Sequence, residues 1–145
     1  MRVFLNPVVA WASFTFMMNF WHWPLFYEAA LQSKPIHIFE HLTMVISAFQ
    51  MWWPLIGRGT RLHAMPYGPR MIYIVLLMIG QFPVFGSLTL SEDALYSTYL
   101  YAPRIVNLTA LQDQVLGGLL MNVLGMFVYL FMFARSFYEW YAAEN

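Results

Sequence analysis

The chain has 145 residues, of which 61% are hydrophobic, 19% aromatic and only 10% charged, whereas about a quarter of the residues in a soluble domain are charged. Seven Lys and Arg balance seven Asp and Glu with no basic run, so nucleic-acid binding has no electrostatic support. The absence of cysteine excludes disulfides, zinc fingers and thiolate copper sites, and leaves His, Met and carboxylates to hold any metal.

Four apolar stretches, Val8 to Trp23, Ile36 to Ile56, Met71 to Leu90 and Val115 to Ala134, each approach the ~20 residues that span a bilayer. They predict an all-α fold: one membrane domain over residues 1–145, a transmembrane bundle of about four helices, with spans roughly 6–23, 36–56, 71–90 and 112–134. The first reaches full length by starting at Asn6, which can cap a helix whose first residue is Pro7. The opening lacks a small-residue cleavage site, so no cleavable signal peptide is expected. In the third span, Pro83 between Gly80 and Gly86 predicts a kink, with neighbours satisfying the freed carbonyl.

Arg58, Arg61 and Arg70 lie between the second and third spans, Arg2 precedes the first, and Arg135 closes the fourth. The two remaining loops, Glu28 to Pro35 and Ser91 to Gln114, carry only Lys34 and Arg104. The positive-inside rule then makes both termini cytoplasmic and turns these two loops outward. Trp21, Trp23 and Tyr27 at one border, and Trp52, Trp53, Tyr138, Trp140 and Tyr141 at the other, suit interfacial belts.

This topology gathers His22, His37, Glu40, His41, Glu92, Asp93 and Asp113 on the outer side, while His63 reads as a solvated residue of the arginine loop. His37 and His41 stand one turn apart on a helix face continued by Met44 and Met51, with Glu40 beside them, in the manner of a soft, mixed metal site. The plain alternative is a helix start with a dipole-stabilised glutamate and two wet histidines; ionisable groups within spans more often mark function. Tyr96 and Tyr99 belong to the outer loop, and Thr109 with Gln112 forms a capping box that sets Asp113 and Gln114 early in the fourth helix. Gly117 and Met121 continue the Asp113 face, and Gly118, Met121 and Gly125 form a small-residue stripe suited to close helix packing.

The run WHWPLFYEAAL, then HIFEHL, MWWPL and LQDQVLGGLLM, resembles the CtaG family of cytochrome c oxidase assembly factors over roughly Asn6 to Ala134. The resemblance implies a non-enzymatic multi-pass protein of the bacterial plasma membrane that is needed to form active oxidase. It would help load copper into its partner, the oxidase catalytic subunit, from the outer face; association with itself or other subunits is left open. The expected metal ligands are His22, His37, Glu40, His41 and Met44, supported by Asp93, Asp113, Gln114 and Met121. Imidazole and thioether groups accept Cu(I), so Met44 or Met121 can supply sulfur in the absence of cysteine. Family members usually carry more spans, with a further histidine pair upstream, so the chain is expected to be the latter part of such a bundle or a short variant.

Three other readings stay open. HIFEH fits the H-x-x-E-H pattern of zinc metallopeptidases, with Asp113 or Glu92 available as third ligand. A haem or quinone module would have to use His22 against His37 or His41. A structural subunit would use the outer polar patch only to dock on a partner.

Overall fold

The computed structural model describes Phe4 and residues 6–56 and 65–145. Arg2, Arg58, Arg61 and His63 lie outside the described residues. Among those described there are helices and no strands, as expected of a chain whose backbone groups must bond within their own segment in lipid.

Helix α1 covers Pro7–His22, and the Asn6 side chain accepts from Val8 N at 2.9 Å, so the predicted cap forms. Pro24 cannot continue that helix but can open another, and the chain turns at Trp23 into α2, Pro24–Gln32. The outer segment read as a loop from Glu28 is therefore helical through Gln32. After an extended Ser33, α3 runs over Lys34–Ile56.

The third apolar stretch divides into α4, Tyr67–Gly80, and α5, Phe82–Leu90, with Gln81 between them. Pro83 at the start of α5 cannot donate to the preceding turn. Asn19 of α1 compensates the break: its Nδ2 donates to Gly80 O at 3.1 Å and to Thr15 O at 2.8 Å. This is the satisfied kink that the sequence predicts. The loop after α5 contains one short turn of helix, α6, Ser97–Tyr101. Helix α7, Ala110–Glu144, begins at the expected capping box of Thr109 and Gln112 and continues well past Ala134. Its 35 residues extend about 52 Å at 1.5 Å per residue, against ~30 Å of hydrocarbon.

Helix α1 packs on α3 and on α4 and α5, which in turn pack on α7. Phe14, Met18, Met51, Leu55, Tyr73, Ile74, Leu77 and Tyr129 form the main core. A second cluster of Val84, Leu88 and Tyr96, joined by Tyr27, Tyr99 and Met121, lies at the end where α1 and α5 finish and α7 starts. At the opposite end, Arg70 is buried in the first turn of α4 and meets Glu139 at 3.0 Å; Arg135 meets the same carboxylate at 3.1 Å. Arg70, which marks topology in the sequence, thus ties α4 to α7.

Glycine decides two helix contacts. A Cβ on Gly80 would stand 2.6 Å from Thr15 Oγ1, and one on Gly118 would stand 2.9 Å from Leu88 Cβ. Gly117 and Gly125 have open space instead, so of the expected glycine stripe only Gly118 brings helices together.

Tyr67–Leu90, counted through its kink, and Ala110–Glu144 are each long and apolar enough to cross a membrane. Leu124, Phe127 and Phe131 of α7 are about two-thirds exposed. Such a continuous apolar surface belongs in lipid rather than water. The chain is a membrane protein.

Candidate functional site

The segments following α1 and α5 come together at one end of the helices through named side chains. Glu28 of α2 accepts from Thr98 N at 3.0 Å, from Ser97 Oγ at 3.1 Å and from the Thr98 hydroxyl, clasping the 91–109 loop. These bonds, those of Thr98 foremost, hold the Glu28 carboxyl below the usual glutamate range. Tyr27 stacks on Tyr96 at 4.0 Å between centroids, and its hydroxyl meets that of Tyr99 at 3.1 Å. Burial pushes the Tyr27 hydroxyl up and that of Tyr96 up to about 12, with neighbouring tyrosines and Glu40 adding to both. Both are neutral hydrogen-bonding groups at physiological pH.

Beneath this loop lies a cavity of about 310 Å³ lined by His22, the three tyrosines, Asp113, Gln114, Gly117 and Met121, among others. His22 Nδ1 is 2.7 Å from Met18 O. A carbonyl only accepts, so Nδ1 carries the hydrogen and Nε2 keeps its lone pair, the tautomer of a ligand or a base. Tyr96 OH donates to His22 O at 3.0 Å, fixing the end of α1. Gln114 is committed at both ends: its Oε1 accepts from Leu95 N at 2.7 Å and its Nε2 donates to Leu88 O at 3.2 Å. It therefore braces the cavity wall. Gly117, lacking Cβ, leaves part of the cavity volume empty.

His37 and His41 lie outside this cavity lining, on the exposed first turns of α3. Their Nε2 atoms are 3.0 Å apart and the rings meet edge to face. Glu40 is buried at 8% exposure and stands 3.5 Å from His37 Nδ1, on the far side of that ring from His41. A carboxylate there favours hydrogen on Nδ1 and leaves His37 Nε2 as the acceptor.

The five expected metal ligands thus divide. His37 and His41 face each other, Glu40 backs His37, His22 joins the Asp113 and Met121 cavity, and Met44 packs against the main core. Asp93 is exposed in a turn where its carbonyl accepts from Ser91 Oγ, away from the cavity lining. Among the described residues no three His, Asp or Glu side chains converge on one point. Sequence reasoning missed Glu28 as the clasp of the 91–109 loop. Its only signal was an acidic residue close after the first span, which does not name Thr98, 70 positions away, as its partner.

No curated protein and no solved structure matches the chain. The family model described as cytochrome c oxidase caa3 assembly factor (Caa3_CtaG) matches residues 1–143. With that match over nearly its whole length, and the motifs WHWP, HIFEH and LQDQ meeting at one helical end, the chain belongs to the Caa3_CtaG family of cytochrome c oxidase assembly factors.

Proposed function

We propose that the protein assists copper insertion into the catalytic subunit of cytochrome c oxidase, from the outer face of the bacterial plasma membrane, without itself being an enzyme. In this reading α1, α3, the α4 and α5 pair and α7 are four spans with cytoplasmic termini, as the arginine distribution favours. The end bearing His22, His37, His41 and Asp113 then faces outward.

The observation that carries the proposal is the approach of His37 and His41. With metal–nitrogen bonds of about 2.0–2.1 Å, nitrogens 3.0 Å apart would subtend about 94° at a shared ion, narrower than the ~109° of a tetrahedral site, so an ion would have to displace the hydrogen the two rings share and spread them slightly. Imidazole nitrogen suits copper, and the separate His22 and Met121 cavity holds a third nitrogen and a thioether of matching softness. Glu40 would act from behind His37, orienting the ring and raising its basicity.

That same placement weakens the metallopeptidase reading. A glutamate that activates a metal-bound water must reach the metal side of its histidines, whereas Glu40 is buried on the Nδ1 side of His37. The test is His37→Ala with His41→Ala in cells, followed by copper and haem analysis of the purified oxidase. Loss of copper with haem retained is expected. Unchanged copper with weaker co-purification of the two proteins would replace copper handling by simple docking.

A further inference from the structure

We infer that the cavity under the 91–109 loop is the headgroup site of a phospholipid with a primary ammonium, of the phosphatidylethanolamine class. The inference goes beyond the copper reading and does not rest on it, although an ammonium and a metal ion would compete for His22.

The depth of the cavity is the first observation. The apolar run Tyr67–Leu90 ends two residues after Leu88, against which Gly118 packs. Asp113 precedes Gly118 by five positions, so it stands about 7.5 Å further out along α7, beyond the end of that run, while Met121 stands about 4.5 Å further in. Both line the cavity, together with Leu88 and Gly117. It is therefore polar at the headgroup level and apolar at the hydrocarbon level. Gly117 is exposed, with open space where a Cβ would stand, among the exposed Leu116, Leu120 and Leu124 of α7. That surface belongs in lipid, so a lipid can enter from the side and leave its chains outside. The volume of about 310 Å³ lies at the lower end of the ~300–1,000 Å³ of small-molecule sites, enough for a headgroup and its first carbons.

Charge and hydrogen bonding select the headgroup. Among the described residues the Asp113 side chain has no hydrogen-bonding or ion-pairing partner, and no Lys or Arg lines the cavity. A ligand there must bring the positive charge, which disfavours anionic headgroups. Asp113 and His22, whose Nε2 keeps its lone pair, are both acceptors. They suit an ammonium, which has three N–H donors, and not a quaternary choline, which has none. Tyr27 and Tyr99 share one hydroxyl hydrogen between them, so the other is free to donate to a phosphate oxygen.

The experiment uses the full chain in detergent micelles and native mass spectrometry with dioleoyl phosphatidylethanolamine, phosphatidylcholine or phosphatidylglycerol. The chain should retain phosphatidylethanolamine about tenfold more tightly than either of the others, the factor carried by one charge-assisted hydrogen bond. Asp113→Asn, at an exposed position and checked for helicity, should bring phosphatidylethanolamine down to the phosphatidylcholine level and leave phosphatidylcholine unchanged. Gly117→Leu keeps the carboxylate but fills the space, and should lower phosphatidylethanolamine retention as well. Equal retention of the three lipids would overturn the inference, because the apolar surface at large would be holding them. Full retention of phosphatidylethanolamine by Asp113→Asn would overturn it too. Free glycerophosphoethanolamine displacing the lipid at equal concentration would assign the cavity to a soluble amine and overturn the lipid. None of these measurements contains copper, so the copper reading is decided separately.

Discussion

Replacing Gly80 by alanine tests the packing of α1 on the kinked α4 and α5 pair. The added Cβ would lie 2.6 Å from Thr15 Oγ1, 3.0 Å from Thr15 Cγ2 and 3.4 Å from Thr15 Cβ. Rotating the threonine does not clear the clash, since its two heavy branches occupy two of three staggered positions and any rotation leaves one of them close. The helices must therefore part along a seam that also carries Trp11 Nε1 to Leu76 O at 2.9 Å and Asn19 Nδ2 to Gly80 O at 3.1 Å. Overpacking of this kind costs about 1–3 kcal/mol, and improved helix propensity returns at most ~1 kcal/mol. The expected net loss is about 1–2 kcal/mol, or a factor of roughly 5–30 in the folded-to-unfolded ratio.

The control is Thr15→Ala. Thr15 Oγ1 is buried without a hydrogen-bond partner, so removing it relieves a penalty of about 1–3 kcal/mol while forfeiting about 0.8 kcal/mol of methyl burial. The single variant should be nearly neutral or slightly stabilising, and in the double variant it should rescue Gly80→Ala by at least ~1 kcal/mol beyond additivity. A double-mutant cycle from unfolding titrations in mixed micelles measures this. Additive effects, or a Gly80→Ala protein as stable as the parent, would refute the close-contact argument.

Gly118→Ala should likewise destabilise by about 1–3 kcal/mol, because Leu88 Cβ at 2.9 Å cannot rotate away. Its neighbour Gly117→Ala should stay within about 0.5 kcal/mol while filling part of the His22 cavity, and the same titrations separate the two. Glu28 sets a pH response. Its carboxyl titrates lower in the folded protein than in the unfolded chain, so the clasp is fully present above the unfolded value of about 4.3 and is lost as pH falls through the folded value. The protection of the Thr98 amide, measured against its intrinsic exchange rate at each pH, should therefore fall in acid, and Glu28→Ala should lack that protection already at neutral pH. A Glu28→Ala amide as protected as in the parent would refute the clasp.

What the sequence reveals here is local chemistry. Asn6 before Pro7, Thr109 before Gln112 and the Gly80 to Pro83 break each act within a turn, and each forms as expected. What it conceals is pairing across the fold and the choice between adjacent helix positions. Gly117 and Gly118 differ by one residue, about 100° around the helix, and that alone decides whether a glycine lines a cavity or admits Leu88. Helix α2 is hidden because nine residues after Trp23 carry too few turns for a clear period. The expected ligand set is a similar case: the spacing of His37 and His41 brings their rings together, but no spacing rule states that Glu40 backs one ring while His22 faces another compartment.

The two parts of this polar end differ in how firmly they are held, and that difference bears on the proposed function. His22 is bound at its ring by Met18 O and at its own carbonyl by Tyr96, under a loop clasped by Glu28 and braced by Gln114. Such a site is preorganised, with little left to order when something binds. His37 and His41 have mainly each other and Glu40, on exposed turns. In the proposed reading an ion would meet the exposed pair first, where Glu40, 3.5 Å from His37 Nδ1, would favour positive charge. Catalysis would call for the reverse arrangement, with the firmest geometry around the metal-facing nitrogens and the carboxylate on their side. The division into an open pair and a braced cavity therefore suits passage of a cation better than turnover of a substrate.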